Sequence, residues 1–157
     1  LKFEARAFIG LMKSGLPICA GIYRRRQEPE DYPFRGAENP DGGGLWFVDD
    51  WLQCDRVPTG FLCISRKVLE EMAAEAPQIT IHGQKGPVPW VFHTKFDDES
   101  RFIGEDYGFC DDYVKKYGKP IPVWTNFDFV HGGYTGNMFK WLTAEKEKHD
   151  AATSAAA

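Results

Sequence analysis

The chain has 157 residues, 43% hydrophobic and 27% charged, enough for one globular domain that buries about 70% of its unfolded surface. Its formal net charge of −4 excludes a nucleic-acid binder that relies on an overall basic charge, because neutralising phosphates takes clustered Lys and Arg. No apolar run approaches the roughly 18 residues of a membrane span.

In chain order, Phe3, Ala7 and Leu11, with Phe8 and Met12, recur at helical spacing and predict a helix over 3–14 that stops at Gly15. Residues 16–23 read as a buried strand, followed by a long loop from Arg24 to Gly44 rich in Arg, Pro, Asp and Gly. Leu45 to Val48 predicts a short strand and a second extended stretch runs toward Val57. Pro58-Thr59-Gly60 then breaks the chain before a strand over 61–64. Ser65 is placed to cap a helix over 66–75. Residues 76–100 look irregular, apart from a strand over 90–96. A helix over 105–117 ends at Gly118, a strand covers 120–124, an extended piece 126–131, and a last helix 134–148. The pattern is a single mixed α/β domain over 1–148, with 149–157 as a frayed tail. Leu1-Lys2-Phe3-Glu4 reads as entering mid-element, as a piece of a longer chain would.

Four cysteines at 19, 54, 63 and 110 form no Cys-x-x-Cys pair, and Cys19 and Cys63 sit among apolar neighbours. Buried free thiols are expected, which points to a reducing compartment, the cytoplasm.

Three constellations carry candidate chemistry. On a helix starting near Glu105, residues 106, 109, 110, 113 and 117 share one face, so Asp106 is the one charge on a stripe of Phe109, Cys110, Tyr113 and Tyr117. The helix dipole favours its ionised form and burial opposes it, a balance that suits a general base; a plain first-turn acid is the structural alternative. His131-Gly132-Gly133 follows an extended segment, where a histidine beside two glycines is able to approach a ligand or metal closely. One histidine needs carboxylate partners to hold a cation, so a hydrogen-bonded loop histidine is the alternative. Thr59-Gly60 enters a buried strand and marks a tight turn or room for a substrate. Arg24-Arg25-Arg26 offers a spot for phosphates or a solvated strand end. Gly42-Gly43-Gly44 lacks the Gly-Lys-Ser/Thr ending of a phosphate loop.

Taken in order, Ala20-Gly21-Ile22-Tyr23-Arg24, residues 58–66 (Pro-Thr-Gly-Phe-Leu-Cys-Ile-Ser-Arg), Gly104-Glu105-Asp106-Tyr107-Gly108-Phe109-Cys110, Gly118 and His131-Gly132-Gly133 resemble the C-terminal part of a GT-A-type nucleotide-sugar glycosyltransferase over residues 1–142. The resemblance implies a mixed sheet flanked by helices. It also implies Asp106 as catalytic base with Glu105 beside it, and Thr59, Gly60, Tyr107, Gly132 and Gly133 near substrate. His131 would help hold a divalent metal, manganese or magnesium, with a nucleotide-sugar donor and a carbohydrate or other hydroxyl acceptor as partners. The acid pair leans toward inversion at the anomeric carbon. In the family, an Asp-x-Asp motif at a strand end and a nucleotide-binding βαβ half come before a helix like 3–14, so an exposed face prone to self-association is expected here. Two other readings stand beside it: a non-catalytic carbohydrate-binding or scaffold domain of the same fold, and a hydrolase that uses Asp106 and His131.

Overall fold

The structure is a computed structural model, and it describes residues 1–155. The strands are β1 (Lys2–Phe3), β2 (Ile18–Ala20), β3 (Arg35–Gly36), β4 (Phe47–Val48), β5 (Trp51–Arg56), β6 (Leu62–Ile64), β7 (Gln78–Ile79), β8 (Val88–Pro89), β9 (Lys95–Phe96), β10 (Phe102–Ile103), β11 (Ile121–Trp124), β12 (Phe129–His131) and β13 (Tyr134–Gly136). The helices are α1 (Ala5–Lys13), α2 (Arg66–Glu75), α3 (Glu105–Tyr117) and α4 (Met138–Ala155).

The main sheet runs β3-β5-β11-β2-β6, with β4 also on β5. Among the described residues only the β11–β2 pair is parallel, so the sheet is mixed and the domain is mixed α/β. Side chains alternate across its two faces. Ile18, Ala20, Leu52, Cys54, Ile121 and Val123 pack with Val68 and Met72 of α2 and Phe109, Cys110 and Tyr113 of α3. Cys19 faces the other way, into a smaller cluster with Ala7 and Leu11 of α1 and with Phe61, Phe127 and Phe129. Helix α1 thus packs on one face of the sheet and α2 and α3 on the other, where Met138, Trp141 and Leu142 of α4 join the same cluster. A Cβ on Gly10 of α1 would run into the Trp124 indole, so this glycine lets helix and sheet approach closely, at a cost of about 1 kcal/mol in helix propensity.

Local signals for the helix ends hold. Ser65 caps α2, its hydroxyl accepting from the Val68 amide at 3.3 Å. Gly118 ends α3 in the left-handed region at φ 61°, its N–H on the Val114 carbonyl at 2.8 Å. All four cysteines are free, with Cys19, Cys54 and Cys110 buried and Cys63 half-buried.

Four expectations need correction. Residues 134–136 are strand β13 rather than the start of the last helix: Gly132 and Gly133, at φ 59° and 93°, close a two-residue hairpin with His131 opposite Tyr134. Positive φ at both loop positions is what such a turn demands, so the glycines are accounted for by the turn. Helix α4 starts only after Asn137, whose side-chain oxygen accepts from the Lys140 amide. It continues to Ala155, so 149–155 are helix and not frayed tail, in keeping with an alanine-rich end and a Lys146–Asp150 pair at i,i+4; residues 156–157 lie outside the described part. Of the strand expected over 90–96 only β9 forms, paired to β10, while the short strand β8 lies just before the range and pairs with β7. The long loop after β2 contributes β3 and is pinned by Tyr32, which is buried against Trp141 at 5.2 Å between ring centroids.

The chain exposes 9984 Å², against about 8,000 Å² for a compact monomer of its 17.8 kDa mass. Part of that surface is apolar: Phe8, Ile9 and Met12 on the outer face of α1, with Leu1 and Phe3 beside it. No helix among the described residues is long and apolar enough to cross a membrane.

Candidate active site

A cleft of about 480 Å³ opens where β2 ends, α3 begins and the β12–β13 hairpin turns, within the 300–1,000 Å³ range usual for small-molecule sites. It gathers residues from four distant stretches of sequence: Tyr23 to Gln27, Pro58, Gly104 to Tyr107, and His131. Glu105 and Asp106 occupy the first turn of α3, and Asp106 is half-buried while Glu105 is exposed. The Thr59 hydroxyl donates to Oδ1 of Asp106. That bond joins residues 47 positions apart, orients the carboxylate and leaves Oδ2 for a ligand.

Four of the residues singled out from sequence therefore meet in one place: Thr59, Glu105, Asp106 and His131, with Tyr107 on the same wall. Gly60 does not offer space to a substrate. A Cβ there would strike the Tyr23 hydroxyl, so the room is filled by the protein itself. Gly132 is packed against the Arg26 side chain, where a Cβ would come within 2.8 Å of Cδ, and Gly133 faces open space.

His131 is held at both ring nitrogens. Nδ1 lies 3.0 Å from the Arg24 carbonyl, and Nε2 lies 3.0 Å from Nε of Arg26. A guanidinium only donates, so Nε2 is the acceptor and Nδ1 carries the proton donated to Arg24. The lone pair that a metal ion would need is engaged by a cation, and no three His, Cys, Asp or Glu side chains converge to hold a metal among the described residues. The residues present do not fit a divalent metal by themselves.

Sequence reasoning missed Tyr23, and it flagged Arg26 only as one of three arginines in a spot for phosphates, without its place beside His131. The Tyr23 ring packs edge-on against His131 at 4.6 Å, and burial, followed by the nearby Asp106 charge, raises its phenol above the ordinary value. Burial likewise raises Tyr107, with Arg25 and Arg56 pulling the other way. Both phenols thus remain O–H donors at neutral pH. The signal for Tyr23 was faint, since it ends an apolar strand and looks like one more core residue. The signal for Arg26 was the arginine run itself. Arg24 is not the solvated strand end that the run also allowed: it is buried, donates to the carbonyls of Thr135 at 3.3 Å and Gln27 at 2.6 Å, and lies over the Tyr134 ring. It fastens the loop to the hairpin.

A second cavity of about 390 Å³ lies between α2, α3 and residues 91–93. Both acidic side chains of its lining are already paired, Asp112 with Lys95 at 2.8 Å and Glu75 with Lys116, so neither is left for a ligand. The cleft at Asp106 is the better candidate because, among the described residues, neither Glu105 nor Asp106 is ion-paired, although three arginines line the same cleft. No known protein family, curated protein or solved structure matches this chain.

Proposed function

We propose that this chain forms the acceptor side of a GT-A-type glycosyltransferase, with Asp106 as the base that activates an acceptor hydroxyl. The observation that carries the reading is the Thr59–Asp106 hydrogen bond, which aims a carboxylate with no ion-pair partner among the described residues into a cleft of ligand size. An alcohol is a weak nucleophile at neutral pH, so its attack requires a base within hydrogen-bond reach. In the step proposed, Asp106 takes the hydroxyl proton as the acceptor oxygen bonds to the anomeric carbon of a nucleotide-sugar donor. The bond from that carbon to the phosphate oxygen breaks, and its electron pair leaves with the nucleoside diphosphate. Direct displacement by one base inverts the anomeric centre. Thr59 acts as a positioning residue, and the Tyr23 and Tyr107 phenols are donors for substrate hydroxyls. Glu105 adds negative charge beside the base. The order and spacing of the sequence motifs support the same reading, and so does a mixed sheet with helices on both faces.

The test is transfer, or slow hydrolysis, of a panel of UDP- and GDP-sugars, with Asp106→Asn as the diagnostic variant. Asparagine preserves the shape and still accepts from Thr59. The variant is expected to keep its circular dichroism spectrum and lose turnover by a factor of about 10² or more. Turnover equal to wild type removes Asp106 as base.

A further inference from the structure

Arg26 is the cation of the cleft without a carboxylate. Arg24 is paired with Glu28 at 3.0 Å and Arg25 with Asp31 at 2.8 Å, whereas no acidic side chain among the described residues pairs with Arg26. Its guanidinium is nevertheless held in place. Nε–H is spent on His131 Nε2, His131 is fixed by the Arg24 carbonyl, and the side-chain stem rests on Gly132. Holding Nε in this way leaves the two terminal amino groups of the fork without a carboxylate, the donor pair that matches a phosphate or carboxylate edge. The side chain is exposed, so a solute reaches it without rearrangement.

We propose that Arg26 binds a phosphate or carboxylate group on the same molecule whose hydroxyl meets Asp106, so that the acceptor is an anionic sugar or polyol. This rests on the acceptor-side reading above. Arg26 reaches His131 from the same cleft that Asp106 enters, and the base contacts the acceptor by definition; the opposing charges then favour a ligand with a neutral hydroxyl at one end and an oxyanion at the other. Repulsion from Glu105 and Asp106 would keep the oxyanion away from the base and fix the ligand's direction.

Calorimetric titration of the chain with glucose 6-phosphate, glucose and UDP tests this. Glucose 6-phosphate is expected to bind at least tenfold more tightly than glucose. Arg26→Gln should erase that preference, and Arg26→Lys should restore only part of it, because an ammonium lacks the fork. UDP affinity should be the same in all three proteins. No preference for the phosphate, or a preference that survives Arg26→Gln, overturns the proposal. So does an equal loss of UDP affinity, which would assign Arg26 to the donor. Transfer assays separate this from the function itself. A phosphate preference in KM that Arg26→Gln removes supports both. Transfer indifferent to acceptor charge overturns the anionic acceptor and keeps the transferase. Arg26-dependent phosphate binding without transfer from any donor upholds the oxyanion site and removes the transferase reading.

Discussion

Asp106 and Asp111 sit five residues apart on α3, and their surroundings are opposites. Asp111 is clamped by Arg56 in a two-bond fork, Nε at 2.7 Å and a terminal nitrogen at 2.8 Å, and Arg56 also lies over the Tyr107 ring at 5.4 Å. Asp106 has one neutral hydroxyl and, among the described residues, no ion-pair partner. A carboxylate fully answered by a guanidinium holds α3 to β5 and has nothing left to give a ligand. One answered only by Thr59 keeps an oxygen in reserve. The same residue type on the same helix thus does architecture in one region and keeps an oxygen open to a ligand in the other.

The sharpest way to break this contrast is to neutralise both aspartates. Asp106→Asn should cost about 10²-fold or more in turnover with little change in thermal midpoint. Asp111→Asn should leave turnover within a few-fold while destabilising the fold, by about 2 kcal/mol for a charge-assisted pair left with an unanswered partner, read from urea unfolding. A large stability loss at 106, or a large turnover loss at 111, would exchange the two roles.

Thr59→Val tests whether the hydroxyl aims the base. It should lower kcat by roughly tenfold with KM nearly unchanged, since an unaimed carboxylate still abstracts a proton when it happens to point correctly. An unchanged kcat would make the Thr59 bond structural.

Cys110 lies between the two aspartates and reports on burial there. Burial pushes its thiol up from 9.0 to about 12, and that of Cys19 up to about 11. A native state that holds its protons more tightly than the unfolded chain loses stability as pH rises, so unfolding midpoints should fall progressively from pH 9 toward 12. At neutral pH, half-buried Cys63 should react with a thiol reagent first, and Cys19, Cys54 and Cys110 only on unfolding. Early reaction at Cys110 would show α3 opening near the cleft.

The smallest expected effect concerns His131. With its Nε2 engaged by Arg26, millimolar manganese alone should leave the thermal midpoint of this chain unchanged. A saturable upward shift would mean that Arg26 yields its place to the metal.

The start of α2 and the end of α3 were legible in the sequence because their causes are local: the Ser65 cap and the Gly118 left-handed stop each act within four residues. The face of α3 was also legible, since Phe109, Cys110 and Tyr113 are buried as their spacing requires. What was not legible depends on partners far along the chain. Two-residue strands such as β3 and β9 have no period to detect and exist only because β5 and β10 lie beside them. A Gly-Gly pair signals a tight turn but not whether helix or strand follows, and this is how β13 was missed. At the site, residue types at 59, 105, 106 and 131 stood out, but their meeting did not. The role of Arg26 is invisible without the hairpin that brings His131 to it.

The parallel pairing of β11 on β2 has a kinetic consequence. Val123 must find Ala20 across a hundred residues, whereas β2–β6 and β4–β5 close much shorter loops. Closure entropy makes a loop of this length costly to form, as it does for the still longer β1–β12 pairing of Lys2 with Val130, and contacts of this separation slow folding. The cleft draws walls from residues 23–27, 58–59, 104–107 and 131, on both sides of that closure. Ligand binding there should appear with the slowest refolding phase, which makes the site a reporter that the chain has finished folding.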